Sequence, residues 1–215
     1  MPAPTSEAAR KQAGRTLQRD LTNRLLAVPS FNMNLEHRMR WKIQRWNLPI
    51  PLGTLSRRLP KRLAAMHKLT TPRVQAAVFR TLWNGWTTAS RFQQCGKCVL
   101  GCSPSAEDRI EHYAHCPFFS DLVTGWLGVR TQLVSLGGFL LAADGMSDQE
   151  LCLMSIAVYA MHRATAFYRR GSTPTAAQVK DFLQAMCQSA VRGHKSSLRV
   201  LDYASRLRHA SRSLR

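Results

Sequence analysis

Between Cys95 and Cys116 the chain carries six soft donors: Cys95, Cys98, Cys102, His112, His115 and Cys116. Two cysteines a few residues apart can wrap one side of a tetrahedral ion. A histidine with a cysteine four residues later can close the other side from adjacent helical turns. Cys98-x3-Cys102-x9-His112-x3-Cys116 fits this requirement best. Cys95-x2-Cys98 is the rival first pair, and His115 competes with His112 because residues three or four apart share a helical face. The clustered cysteines surround Gly96 and Gly101 in a segment of little apolar content, so burial as small hydrophobes does not account for them. Cys152 and Cys187, alone in apolar helical segments, read as ordinary core residues. The opening MPAPTSEAARKQ has no apolar signal-peptide core, which argues against disulfides as the reason for the cluster. Thiolate donors favour Zn2+ over magnesium or calcium, and an iron-sulfur cluster would ordinarily want all cysteines. A shell filled by four protein donors leaves no position for water or substrate, so the expected metal is structural.

The elements that must position these donors read as helices, with almost no alternating strand pattern. Ser6 to about Leu26 forms a basic amphipathic helix, with Leu17, Leu21 and Leu25 on one face. A second runs from about Leu35 to Trp46, with Leu35, Met39, Ile43 and Trp46 forming a packing stripe and Arg38, Lys42 and Arg45 on a different face. The run LPIPLGTLSRRLPKRL, broken by Pro49, Pro51, Gly53 and Pro60, reads as a linker or extended loop carrying the basic cluster Arg57, Arg58, Lys61 and Arg62. Thr71-Pro72 reads as a capping side chain followed by a first-turn proline, opening a helix whose apolar face is Val74, Ala77, Val78 and Leu82. That helix is expected to stop at Asn84-Gly85. Ser105 to Cys116 reads as a short helix with Glu107 and Asp108 in its first turn, and Ser120 to Leu127 as another.

In the last third, Ser147-x-x-Glu150 is a capping box ahead of a helix from Leu151 to Tyr168, with Leu151, Met154, Val158, Met161 and Phe167 expected in the core. Thr175-x-x-Gln178 opens the next, through Val179, Phe182, Leu183 and Met186 to a Gly193 cap. Beyond it Arg192, Lys195, Arg199 and Arg206 fall near one helical face. Trp83, Trp86, Phe92 and Tyr113 are read as hydrophobic cover for a small metal module in preference to base-stacking platforms. The fold expected is therefore mainly α, helical bundle segments around a small zinc module, with little or no sheet. Its divisions are 1–70 (basic helices and linker), 71–128 (zinc module), 129–193 (helical extension) and 194–215 (basic tail).

At 215 residues and 45% apolar content the chain can bury one good core or two small ones. Its charge balance is unusual: 31 Lys and Arg against 12 Asp and Glu give +19, a polycation that attracts phosphate backbones or anionic surfaces. Arg38, Lys42, Arg45, Arg57, Arg58, Lys61 and Arg62 are the expected phosphate contacts, to RNA or DNA. The lead from Arg10 to Arg24 is also basic and acid-poor in the manner of an organelle-targeting segment, although charge spread over the whole chain argues against targeting as its sole explanation. The location is otherwise expected to be nuclear or cytoplasmic. The apolar stretches around Leu136 to Ala143 and Leu151 to Met161 fall short of the roughly 20 residues that span a bilayer, so no membrane partner is expected.

The runs PRVQAAVFRTLWNGWTTASRFQ, CGKCVLGC and EDRIEHYAHCP together resemble the C-terminal region of reverse transcriptases of non-LTR retrotransposons, where a Cys/Cys/His/Cys zinc-binding module follows the polymerase thumb. LAADGMSDQELCLMSIAVYAMHRATAFYRR resembles the helical extension that follows this module in elements abundant in dinoflagellate algae. The resemblance covers roughly Arg38 to Gly193, and the zinc module is its most specific part. It implies Cys98, Cys102, His112 and Cys116 as ligands, Asn84, Gly85, Trp86, Thr88, Arg91 and Phe92 as the lead-in motif, and Glu111 before the ligand histidine. The chain departs from the pattern in its spare donors Cys95 and His115 and in a His-to-Cys spacing one shorter than in many relatives.

The resemblance also sets what the chain should lack. Polymerases of that family carry an aromatic-x-Asp-Asp turn, and there is no Asp-Asp here. The nucleases that some such elements carry need a Pro-Asp with a following acidic-x-Lys set, a context that Asp144, Asp148 and Asp181 do not have, and no Asn follows Asn84 to serve an HNH-type site. The expectation is a non-catalytic nucleic-acid-binding fragment that works beside the polymerase part of its parent element. The alternatives are a zinc-organised helical module for a protein partner, a catalytic use of the metal, and a degenerate remnant of an element.

Overall fold

The computed structural model describes residues 35–192 together with 194, 195, 197, 199, 200 and 202. The helix expected over Ser6 to Leu26, the Gly193 cap and Arg206 lie outside them, as does the side chain of Arg38. Among the described residues the fold is mainly α. Helix α1 (Leu35–Gln44) is followed by α2 (Leu52–Leu69), α3 (Pro72–Leu82), α4 (Ile110–His115), α5 (Pro117–Ser120), α6 (Leu136–Phe139), α7 (Asp148–Tyr168) and α8 (Ala176–Val191). The segment Asp121–Trp126 continues α5 as a π-helical turn, and among the described residues the only pairing of strand type is an isolated antiparallel bridge between Lys97 and Glu107.

Helix α7 is central because its sequence leaves it no polar face: every residue from Leu151 to Met161 is buried. A helix apolar around its whole circumference must be enclosed. Helices α2, α3, α6 and α8 and the π-helical turn all pack against it, while α1 packs on α2. The apolar core is one connected cluster running from Met39 in α1 to Val191 in α8. Both capping boxes form as expected, Ser147 with Glu150 and Thr175 with Gln178. Cys152 and Cys187 are buried in this core.

The structure corrects several expectations. The segment expected to be a linker is helix α2, with Pro60 inside it. A mid-helix proline costs about 3 kcal/mol. Burial of Leu55, Leu59, Leu63 and Met66 along one stripe outweighs that cost. Thr71 does not cap α3, because its hydroxyl donates instead to the Ala190 carbonyl at 3.1 Å and ties α3 to the end of α8. Glu107 and Asp108 precede α4 in place of forming its first turn. Phe167 is not in the core but 61% exposed.

Candidate metal centre

The hairpin that precedes α4 places the first two donors. Cys98 N–H donates to the Ala106 carbonyl at 2.7 Å and Asp108 N–H to the Gly96 carbonyl at 2.8 Å, which holds two short extended segments side by side. Between them the chain turns back on itself, with Gly101 N–H donating to the Cys98 carbonyl at 3.0 Å. Gly101 adopts φ +68°, and a Cβ there would lie 2.8 Å from Thr173 Cγ2. Both constraints favour glycine in the residue just before Cys102. Helix α4 then supplies His112, and Cys116 stands at the junction between α4 and α5, where Pro117 opens the next helix.

These pieces bring four donors together. The ligand atoms of Cys98, Cys102, His112 and Cys116 all lie within 4.8 Å of one another, with Cys102 Sγ 3.2 Å from His112 Nε2. A tetrahedral shell with metal–sulfur bonds of about 2.3 Å puts its sulfurs roughly 3.8 Å apart, so the group has the size that such a shell requires. Cys98 and Cys116 are buried and Cys102 is partly so. Cys95 is exposed and His115 is exposed, and neither belongs to the group.

Three thiols this close cannot all ionise by themselves. A hydrogen bond from Cys116 holds the Cys98 thiol well below its ordinary range, helped by the Leu100 N–H directed at the same sulfur. Cys116 is pushed up by that shared proton and by burial. Burial, then the charge on Cys98, raises Cys102 to about 11. A divalent cation would remove this conflict by stabilising every thiolate at once. No family model, curated protein or solved structure matches the chain. By its own chemistry a Cys3His set of this size could hold a metal ion.

The module is anchored to the helical core by residues that spacing alone does not single out. Asp108, 2% exposed, accepts Ala89 N–H at 2.7 Å, the Tyr113 hydroxyl at 2.7 Å and both terminal nitrogens of Arg169 at 2.5 and 2.9 Å. Burial opposes its charge, but the Arg169 and Tyr113 bonds prevail and hold the carboxyl below its ordinary pKa. Trp86 is buried between Tyr113, Phe139 and His162, with Nε1 donating to Thr81 Oγ1 at 2.9 Å. Trp86 and Tyr113 thus cover the module, as expected of them, whereas Phe92 is 56% exposed. Thr88 is buried with its Oγ1 facing Arg91 N, and Arg91 reaches back to the Trp86 carbonyl.

The expected phosphate contacts divide into two sets. On α2, Arg57 and Lys61 are exposed. Arg58 donates to the Ala142 carbonyl at 3.1 Å and pairs with Asp144, and Arg62 donates to the Leu141 carbonyl, so these two bind the turn after α6. Leu141 there adopts φ 56°, an uncommon conformation for a bulky residue, and the arginines hold its turn in place. On α1, Lys42 stands 4.7 Å from the centre of the Trp41 ring, and just past its end Arg45 stands 4.9 Å from that of Trp46, with Trp41 68% exposed. Arg192, Lys195 and Arg199 are exposed. No helix among the described residues is long and apolar enough to cross a membrane.

Proposed function

We propose that the chain is a zinc-stapled helical module that binds RNA or DNA through phosphate contacts, of the kind found in the C-terminal region of non-LTR retrotransposon reverse transcriptases. The four donors that converge are those at the positions of the resembled motif, and Trp86 and Thr88 of its lead-in are buried, Trp86 against Tyr113 next to the donor His112, which supports the likeness. Three thiolates with one imidazole favour Zn2+, and four protein donors make the ion structural.

One observation carries the nucleic-acid reading. The protein has 12 acids against 31 Lys and Arg, and among the described residues no acid forms an ion pair with the exposed Arg57 or Lys61. Such cations make a surface suited to displacing condensed cations from a polyphosphate. The test is the affinity of the purified protein for short RNA and DNA strands as a function of salt. Affinity should fall steeply, by about 0.7 to 0.9 logarithmic units per phosphate contact for each tenfold rise in salt. Absent binding at low salt, together with recovery of an acidic protein partner after nuclease treatment, would favour the protein-interaction reading.

A further inference from the structure

At the C-terminal end of α7 the structure holds an open cavity of about 650 Å³, far from the thiols of the metal group in sequence. Its walls include Arg163, Phe167, Tyr168, Arg170, Pro174 and Gln178. Phe167 lies over Phe182 of α8 in a stacked arrangement, centroids 4.9 Å apart and planes 26° from parallel. Although one side of its ring is covered in this way, the residue is still 61% exposed. The ring therefore presents a large free surface to the cavity. Tyr168 stands edge-on to Phe167, and its hydroxyl donates to the Gln178 carbonyl at 3.1 Å, which joins α7 to the start of α8.

The flanks of this aromatic platform are cationic. Arg163 is four residues before Phe167 on α7, one helical turn away on the same face, and Arg170 lies three residues beyond it in the turn that ends the helix. Both are exposed, and neither makes an ion pair among the described residues. No acidic residue is among the described residues that line the cavity. Burial and the neighbouring Asp181 push the Tyr168 phenol up, so that side chain stays a neutral hydrogen-bonding group.

From this juxtaposition we infer that the cavity is a nucleotide-stacking site for single-stranded nucleic acid, in which a base lies on Phe167 while Arg163 and Arg170 hold the phosphates on either side. The inference rests on the nucleic-acid reading proposed above and gives that reading a substrate class, an unpaired strand. A duplex keeps its bases stacked inside and offers no free ring face to Phe167, whereas a single strand does. Arginine suits both flanks because its planar fork matches phosphate oxygens.

The experiment compares the whole zinc-loaded chain with its Phe167→Ala and Arg163→Gln/Arg170→Gln variants. The probes are oligo(dT), oligo(U) and a duplex of matched length, with 2-aminopurine placed inside an otherwise identical single strand. Circular dichroism and zinc content verify that each variant is folded, which the exposure of all three side chains allows. Phe167→Ala should weaken single-strand binding on the order of tenfold and abolish the quenching of 2-aminopurine, with duplex affinity unchanged. The double arginine variant should make the salt dependence of single-strand binding shallower by about 1.4 logarithmic units, two phosphates at roughly 0.7 each. Preference for oligo(dT) or oligo(U) identifies the natural strand, and either result supports the site.

If the wild type binds strands but Phe167→Ala binds them within about twofold of it, the cavity is not the stacking site and the general nucleic-acid reading stands. If the wild type binds no probe at low salt, that general reading fails and takes the site with it. If a Glu-rich peptide binds in a manner abolished by Phe167→Ala and unaffected by the oligonucleotides, the cavity belongs to a protein partner and the inference is overturned.

Discussion

Asp108 and Arg169 stand 61 residues apart in sequence and meet as a two-pronged ion pair, the aspartate 2% exposed and the arginine at the end of the central helix. The pair joins the hairpin that carries the first two donors to the helical core. Removing one partner of such a pair strands the other charge in a poorly solvated site. Arg169→Ala should therefore lower stability to urea unfolding by about 3 kcal/mol, the low end of the usual range because the arginine side chain is itself 25% exposed. A loss under about 1 kcal/mol would mean that the pair is bathed by water and contributes little.

The same pair fixes an acid dependence. Arg169 and Tyr113 hold the folded-state pKa of Asp108 below its unfolded value. Its contribution is therefore complete above the unfolded carboxylate pKa of about 3.9 and disappears as pH falls through the lower folded value. In Arg169→Ala the buried carboxylate keeps its Ala89 and Tyr113 donors but loses its guanidinium partner, so protonation offsets part of the loss. The stability gap between wild type and Arg169→Ala should thus narrow on acidification below the carboxylate range, measured by urea titration at a series of pH values. A gap that widens there would reverse the sign of the argument.

Metal analysis under reducing conditions should find about one zinc per chain. Cys102→Ser and Cys116→Ser should each lose it and unfold the segment around Gly96 to Cys116. Cys95→Ser and His115→Ala should retain it, since both side chains are exposed and outside the converging group. Loss of zinc from Cys95→Ser with retention in Cys102→Ser would establish the Cys95-x2-Cys98 pairing.

The two basic pairs of α2 should separate binding from stability. Arg57→Gln/Lys61→Gln should leave the melting temperature in place and make the salt dependence of strand binding shallower, by about 0.7 to 0.9 units for each phosphate no longer neutralised. Arg58→Gln/Arg62→Gln should instead lower the melting temperature, because the Leu141 and Ala142 carbonyls are deprived of their donors. Equal binding losses in both pairs, with no thermal change in either, would show that all four side chains face the nucleic acid.

Trp86→Ala should cost about 3 to 5 kcal/mol, because the ring is enclosed among Tyr113, Phe139 and His162. Phe92→Ala should cost little, given its exposure. Thermal unfolding of the two variants under equal zinc loading distinguishes them, and a comparable loss in both would contradict the packing.

The converging donor set is legible in the sequence because metal chemistry imposes short, local spacings, and each capping box is likewise a three-residue signal. Sequence and structure part where a local signal competes with packing. The breakers near the start of α2 suggest a linker, yet Pro49 and Pro51 precede the helix, and Leu55, Leu59, Leu63 and Met66 carry a helical stripe through Pro60. Phe167 has the aromatic character of a core residue but not the position of one. Six residues after Met161, it points some 240° around the helix, away from the side that Ala164 and Thr165 continue. The ion pair of Asp108 with Arg169 and the bonds from Arg58 and Arg62 to the turn after α6 join distant segments, and no periodicity encodes such a meeting.

The enclosure of α7 has a consequence for the order in which the chain is made. The ribosome delivers α1 to α6 before α7, but α8, which covers the remaining flank, emerges after it. For that interval the unbroken apolar run from Leu151 to Met161 has only part of its shelter. A released chain that ends before Ala176 presents the flank of that run that α8 covers to water, and such surfaces attract chaperones or aggregate. Emergence of α8 is thus the event that seals the molecule against its own neighbours, and truncation within that helix should send the product to inclusion bodies whether or not zinc is supplied.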